Sequence, residues 1–184
     1  MKISHETKRA KRIIVELVRQ AGGQFQNKTN LFKAFWKAHL AYAANNPGYL
    51  STWPIVRMPN GPGIEDFDYL VSEMLADGWL TLDEAQVGPY RAMVFSLGPA
   101  CPPPSLPEAA IEAIREGVRA VDGKSATAVS DESHRQSRVW REAKDGEELD
   151  IYLDLIDDAE RARLEENFSA LAGAIGTSYA TSRK

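Results

Sequence analysis

Cysteine is nearly absent from this chain of 184 residues; Cys101 is the only one. A single thiol closes no intramolecular disulfide, and no Cys/His set has zinc spacing. A chain this long buries roughly two-thirds of its unfolded surface and needs neither staple. Long hydrophobic runs are missing too. No stretch approaches the ~18 apolar residues of a membrane helix. The N-terminal MKISHETKRAKR lacks the apolar core of a signal peptide. The expected location is therefore a reducing cytoplasm, with no membrane role. No internal repeat is visible.

What is present is ordinary globular material with an uneven charge. Hydrophobic residues make up 43% and charged residues 26%, so a packed core is expected. The net charge is −4, yet residues 1–40 carry nine Lys/Arg against two Asp/Glu, or +7. The rest carries thirteen against twenty-four, or −11. This asymmetry suggests two faces of opposite charge. It reads either as a solvated basic first helix or as a basic contact surface for an acidic partner.

Periodicity predicts a helix over His5–Ala21, with Ile13, Ile14, Leu17 and Val18 on its buried face and Gly22-Gly23 as its stop. A second helix is expected over Thr29–Ala44. Its stripes Leu31/Phe35/Tyr42 and Phe32/Trp36/Leu40 imply packing on two sides. Tyr49–Met58 reads as extended between Pro54 and Pro59. A Gly-Pro turn and an acidic amphipathic helix from Ile64 follow, with Gly78 as helix stop. Two short strands, 79–82 and 91–97, form a hairpin with a connection of about eight residues through Gly88-Pro89. Gly98–Pro107, GPACPPPSLP, is an extended proline-rich strap.

Beyond the strap, helices are expected over Glu108–Val121 and Lys124–Ala143, then a turn at Lys144–Glu147. Leu149–Ile156 fits strand or helix. A last helix begins at Asp157 with Glu160 in capping-box spacing and carries Leu164, Phe168, Leu171 and Ile175. The fold class is mainly α with a small β-hairpin (α+β). A winged-helix-like helix-helix-helix-hairpin unit is followed by further helices. The chain reads as a single domain, 1–184. Its parts are a helical and hairpin subregion 1–98, the strap 99–107 and a helical subregion 108–184.

Catalytic chemistry is quiet. RMPNGPGIEDFDYL (57–70) has the glycines of a phosphate loop but no accompanying Lys or Ser/Thr, and Pro62 removes a donor. Glu65, Asp66 and Asp68 occupy the expected helix start, where they suit the helix dipole and repel phosphate. The same helix has no Lys or Arg, which opposes a role as a DNA recognition helix. Nucleic acid, if bound, would meet the basic first helix. Ser130, Asp131 and His134 are neighbours in VSDESHRQSRVW, yet adjacency in sequence does not make a triad. Cys101 shows no helix start or cationic neighbour beside it in sequence. Trp53 and Trp140 lie in less regular segments and are candidate exposed anchors for a partner.

Two stretches together resemble the Panacea domain family, which includes SocA-like antitoxins. The first is TNLFKAFWKAHLAY…YLSTWPIVRMPNGPGIEDFDYLVSEMLADGWL, with Phe35, Trp36, Gly61, Pro62, Leu70 and Gly78 at matching points. The second is AVSDESHRQSRVWREAKDGEELDI, similar to the family's Ser-x-x-(Ser/Thr)-His motif with a following Trp and Gly turn. There Ser130, Ser133, His134, Trp140 and Gly146 match. Residue Gly63 departs from the pattern, which commonly has an aliphatic residue there. The resemblance covers roughly residues 25–150. It implies a cytoplasmic bacterial or phage protein that neutralises a cognate toxin by direct contact, with one type delivering its toxin to a Clp-type protease. It implies no enzyme activity, catalytic residue, cofactor or metal. Expected partner contacts are Trp53, Glu65, Asp66, His134 and Trp140. DNA binding or autoregulation through the basic helix is the alternative. Oligomeric state stays open.

Overall fold

The computed structural model describes residues 4–87, 90–157, 159–164 and 166–169. The chain is mostly helical with two small antiparallel sheets. Helix α1 (Ser4–Gln20) buries Ile13, Ile14, Leu17 and Val18. It ends as a left-handed glycine cap should: Gly22 N–H bonds Arg19 O and Gly23 N–H bonds Val18 O. The chain then forms β1 (Gln24–Gln26), which the sequence pattern does not reveal, with only Phe25 facing inward. Asn27 caps α2 (Lys28–Asn45) by accepting from Asn30 N–H at 2.7 Å. Helix α2 is the central element. It buries Asn30 through Trp36, then Ala38 and His39, so the two-sided packing read from its stripes is present.

The stretch 57–70 folds differently from a simple turn into a helix. Strand β2 (Ile55–Met58) reverses through Pro59-Asn60 into β3 (Gly61–Ile64), with Ile55 opposite Ile64 and Met58 opposite Gly61. All four β3 residues are buried. Gly63 is explained by its partner strand: a Cβ there would collide with the Met58 side chain. Helix α3 (Phe67–Ala76) begins three residues later than expected. Asp66 holds a left-handed conformation, and only Asp68 is left as an acidic residue of the first turn. Tertiary pairing overrides the periodicity that Ile64 seemed to start.

Gly78 closes α3 with both bonds of a Schellman motif, Gly78 N to Leu75 O and Trp79 N to Met74 O. Strands β4 (Leu80–Val87) and β5 (Tyr90–Leu97) are longer than expected and pair up to Val87 opposite Tyr90. An eight-residue connection is therefore incorrect; Gly88-Pro89 lies outside the described residues. The sheet order is β1-β5-β4. The strap has no regular structure and is tied to α1, with Arg19 donating to Pro102 O at 2.7 Å.

Helix α4 (Glu108–Val121) matches its expected bounds and lies across α2. Gly117 permits this approach, since a Cβ there would strike the Ala34 carbonyl oxygen. The expected helix 124–143 is in fact two, α5 (Ala126–Gln136) and α6 (Arg138–Glu142), separated at Ser137. Ser137 cannot continue α5 because its hydroxyl and the following N–H groups are taken by Asp154. Leu149–Ile156 is neither strand nor α-helix. A bridge joins Val56 to Glu148, and Ile151–Leu155 form a 3-10 helix. Residues 159–164 and 166–169 are helical, with Asp157 Oδ1 accepting from Glu160 N–H at 2.7 Å. Leu171, Ile175 and the tail lie outside the described residues.

One apolar cluster runs from Ala10 on α1 through α2, α3 and α4 to Ile151. Among the described residues no helix is long and apolar enough to cross a membrane. The two oppositely charged regions meet at the surface where α1 and the start of α2 pass α3. Lys11 on α1 pairs with Glu73 and Asp77 on α3, and Lys28 pairs with Asp68. Arg9 and Arg19 are turned to the carbonyls of Leu50 and Pro102. Of the basic residues in the first forty, Lys11 and Lys28 are the ones matched to carboxylates of α3 among the described residues.

Candidate functional site

The β2–β3 hairpin brings the two family-like stretches together at its tip. Ser125 caps α5 and points its first turn at the hairpin, accepting from Ala128 N–H at 3.2 Å. One turn on, Ser130 Oγ donates to Asn60 O at 3.0 Å, and Ser133 Oγ donates to Ser130 O at 2.7 Å. Gly61 adopts φ +96° directly against Ser133 and Lys33. A Cβ at Gly61 would overlap Ser133 Oγ and stand 2.9 Å from Lys33 Nζ. Only glycine satisfies both the dihedral and the space.

Lys33 is the residue that sequence reading missed here. It reaches the tip from α2, is 2% exposed and donates to Pro62 O at 2.9 Å. Burial pushes its ammonium down to about 7. Its place in an aromatic stripe hid it, since a lysine at helical spacing reads as solvated.

His134 and Trp140 close the other side. Their rings stack at 3.9 Å with an angle of 7°. The Pro59 carbonyl lies on the ring's side and favours its protonated form. His134 Nε2 is buried with no partner among the described residues. Burial, then the nearby Lys33 and Arg57 charges, hold its pKa below the usual value. Trp140 Nε1–H donates to Met58 O at 2.9 Å. The Arg57 guanidinium lies over the Trp140 ring at 4.6 Å, donates from Nε to Trp140 O and pairs with Asp145. Asp154 secures this arrangement from the 3-10 helix. It accepts from Ser137 Oγ at 2.7 Å and from the N–H groups of Arg138 and Val139, the open start of α6.

These polar groups serve one another. Both hydroxyls donate to carbonyls rather than to His134, and Ser133 is 1% exposed. The run from Ser130 to His134 is thus an interlock, and its geometry offers no aligned nucleophile and base. Among the described residues no three His, Cys, Asp or Glu side chains are grouped to hold a metal ion. Cys101, half-buried, has a cationic neighbour after all: Arg19 Nη2 lies 3.1 Å from its Sγ. The strap's fold supplies it, from 82 residues away in sequence.

The expected partner contacts divide between the two ends of the hairpin. His134 and Trp140 hold the tip. Trp53, Glu65 and Asp66 sit at the base, about 10 Å away at ~3.3 Å per residue. Trp53 is 3% exposed, and its Nε1–H donates to Glu65 O at 2.9 Å. It is a core residue, which corrects its reading as an exposed anchor. Glu65 is half-buried and Asp66 exposed. Beside the base opens a cleft of ≈ 440 Å³, lined by His39, Tyr49, Trp53, Glu148, Asp150 and Tyr152 among others. His39, 1% exposed, donates from Nδ1 to Phe35 O and accepts from the Ser51 hydroxyl, each at 2.8 Å. Burial lowers its pKa to about 4, so it is neutral at pH 7. No protein-family model, curated protein or solved structure matches this chain.

Proposed function

We propose that this chain is an antitoxin-like protein-binding module of the Panacea type, which neutralises a cognate toxin by direct contact. The observation that carries the reading is the interlock of Gly61-Pro62 with Ser130, Ser133, His134 and Trp140. Two motifs about seventy residues apart in sequence act as one architectural unit. Their hydroxyls and rings are used in holding the hairpin, which favours a binding scaffold over catalysis. The test is co-expression with the product of a neighbouring gene. That product should be toxic alone, bind this protein and be neutralised by it. If no neighbouring product is toxic, or none is bound and rescued, the reading fails.

A second reading is DNA binding. It is favoured by the order α1-β1-α2-β2-β3-α3-β4-β5 with β1 beside β5, which we read as winged-helix-like with the β2–β3 hairpin inserted before α3. Helix α3, the recognition helix of that architecture, opposes it with Asp68, Glu73 and Asp77. Lys11 and Lys28, which would meet phosphates, are already paired with these carboxylates. Affinity for the gene's own promoter should fall steeply with salt if this reading holds; a flat or absent response excludes it.

A further inference from the structure

We infer that the cleft at the base of the hairpin captures an arginine side chain presented by a protein partner. Three features of the structure converge on this. First, residues 147–150 run alongside β2, with Arg57 N–H bonding Glu147 O and Leu149 N–H bonding Ile55 O, each at 2.8 Å. The extended backbone alternates its side chains. Leu149 enters the core, and Glu148 and Asp150 are exposed and line the same cleft. Second, the 3-10 helix Ile151–Leu155 sets Tyr152 against Tyr49, with ring centroids 4.7 Å apart. Tyr49 is 57% exposed and keeps ring surface open to solvent.

The third feature is charge without an answer. Glu73, Asp77, Asp68, Asp145, Glu132 and Glu142 each pair with a lysine or arginine. Glu148 and Asp150 form no ion pair and no side-chain hydrogen bond among the described residues. Among the described residues no Lys or Arg lines the cleft, and the nearby Arg9 is directed to the Leu50 carbonyl. Two carboxylates next to the exposed Tyr49 ring and the half-buried Tyr152 ring suit a flat cation. Guanidinium stacks on an aromatic face and offers paired N–H donors to a carboxylate; ammonium does only the second, and as a point charge. A volume of ≈ 440 Å³ holds such a side chain with some adjoining backbone. That the arginine belongs to a protein partner rests on the protein-binding reading above; the cation preference does not.

The test is an NMR titration of the isotope-labelled full chain with the peptide acetyl-Gly-Gly-Arg-Gly-Gly-amide. The same peptide carrying citrulline, lysine or glutamate at the central position serves as comparison. Saturable shifts should map to Tyr49, Thr52 and residues 148–152. Affinity should drop about tenfold or more for citrulline, which keeps the shape and loses the charge. A similar drop is expected in the Glu148→Gln/Asp150→Asn variant, whose exposed positions leave the fold intact. Tyr49→Ala should weaken binding about fivefold, and Asp68→Asn should not alter it. Absent or non-saturable shifts, equal affinity for the citrulline peptide, tighter binding of lysine, or an unaffected double variant would each overturn the inference. Co-expression separates the two ideas. Rescue of a toxic neighbour with no arginine binding removes this site alone. Arginine binding with no toxic neighbour removes the antitoxin reading and keeps the cleft.

Discussion

At its tip the β2–β3 hairpin is held by Gly61, Ser133 and Lys33 with no spare volume, and every hydroxyl there has a carbonyl to bond. At its base, some 10 Å away, the same hairpin borders an open cleft whose carboxylates face solvent. The tip carries the residue types that suggest chemistry, Ser, His and Lys, and spends its Ser and Lys groups on structure, with His134 Nε2 alone left without a partner among the described residues of the tip. The base carries no motif, yet it has the exposed aromatic surface and unanswered charge of a binding site. Residue type alone misdirects; whether a polar group is already satisfied decides what it can do.

The largest expected effect breaks the tip. Gly61→Ala places a methyl against Ser133 Oγ at a positive φ, so it should cost about 3 kcal/mol from steric and backbone strain together. A urea midpoint unchanged from wild type would show that the tip is looser than described. Next comes Lys33. Its folded pKa of about 7 lies below the ordinary 10.5, so between these values the unfolded chain binds the extra proton. Stability should therefore rise with pH, by about 2 kcal/mol from pH 7 to pH 9. Lys33→Met should flatten this slope in denaturant titrations at each pH.

His39 tests the base in the acid direction. Its folded pKa of about 4 lies below 6.5, so the unfolded state again binds more protons as pH falls through that window. Its contribution should decline by about 1.5 kcal/mol between pH 6.5 and pH 5. His39→Gln should remove that part of the acid sensitivity, read as the difference between the two pH profiles. The smallest effect is expected outside both ends. Lys28–Asp68 joins largely solvated groups, so Asp68→Asn should change stability by no more than about 0.5 kcal/mol. A larger loss would mean that matching of α2 and α3 charge is a main stabilising device.

Much of the framework was legible. Helix α4 was readable to its end residues because a clean apolar face, an upstream Pro107 and a following Gly123 agree. Glycine caps after α1 and α3 were readable because left-handed C-terminal residues favour glycine. Strand β1 was not, since three residues with one inward phenylalanine carry no periodic signal. Strand β3 was masked by Gly61-Pro62-Gly63, a composition that strand propensity rejects and that only pairing with β2 sustains. The break at Ser137 depended on Asp154, whose role as a cap exists only once the 3-10 helix folds back.

The candidate site divides the same way. Gly61-Pro62 and Ser130–His134 were singled out by the family resemblance; the residues alone suggested only a turn and a helical segment. Lys33 in the tip and Tyr49, Glu148, Asp150 and Tyr152 in the cleft were singled out by neither. Their significance is a matter of which neighbours they meet or fail to meet. Local propensities and caps are written into consecutive residues and set α1, α2 and α4; burial, steric exclusion and charge pairing act between distant segments, and only the folded molecule decided where α3 starts, where α5 breaks, and which polar groups are used up and which stay available.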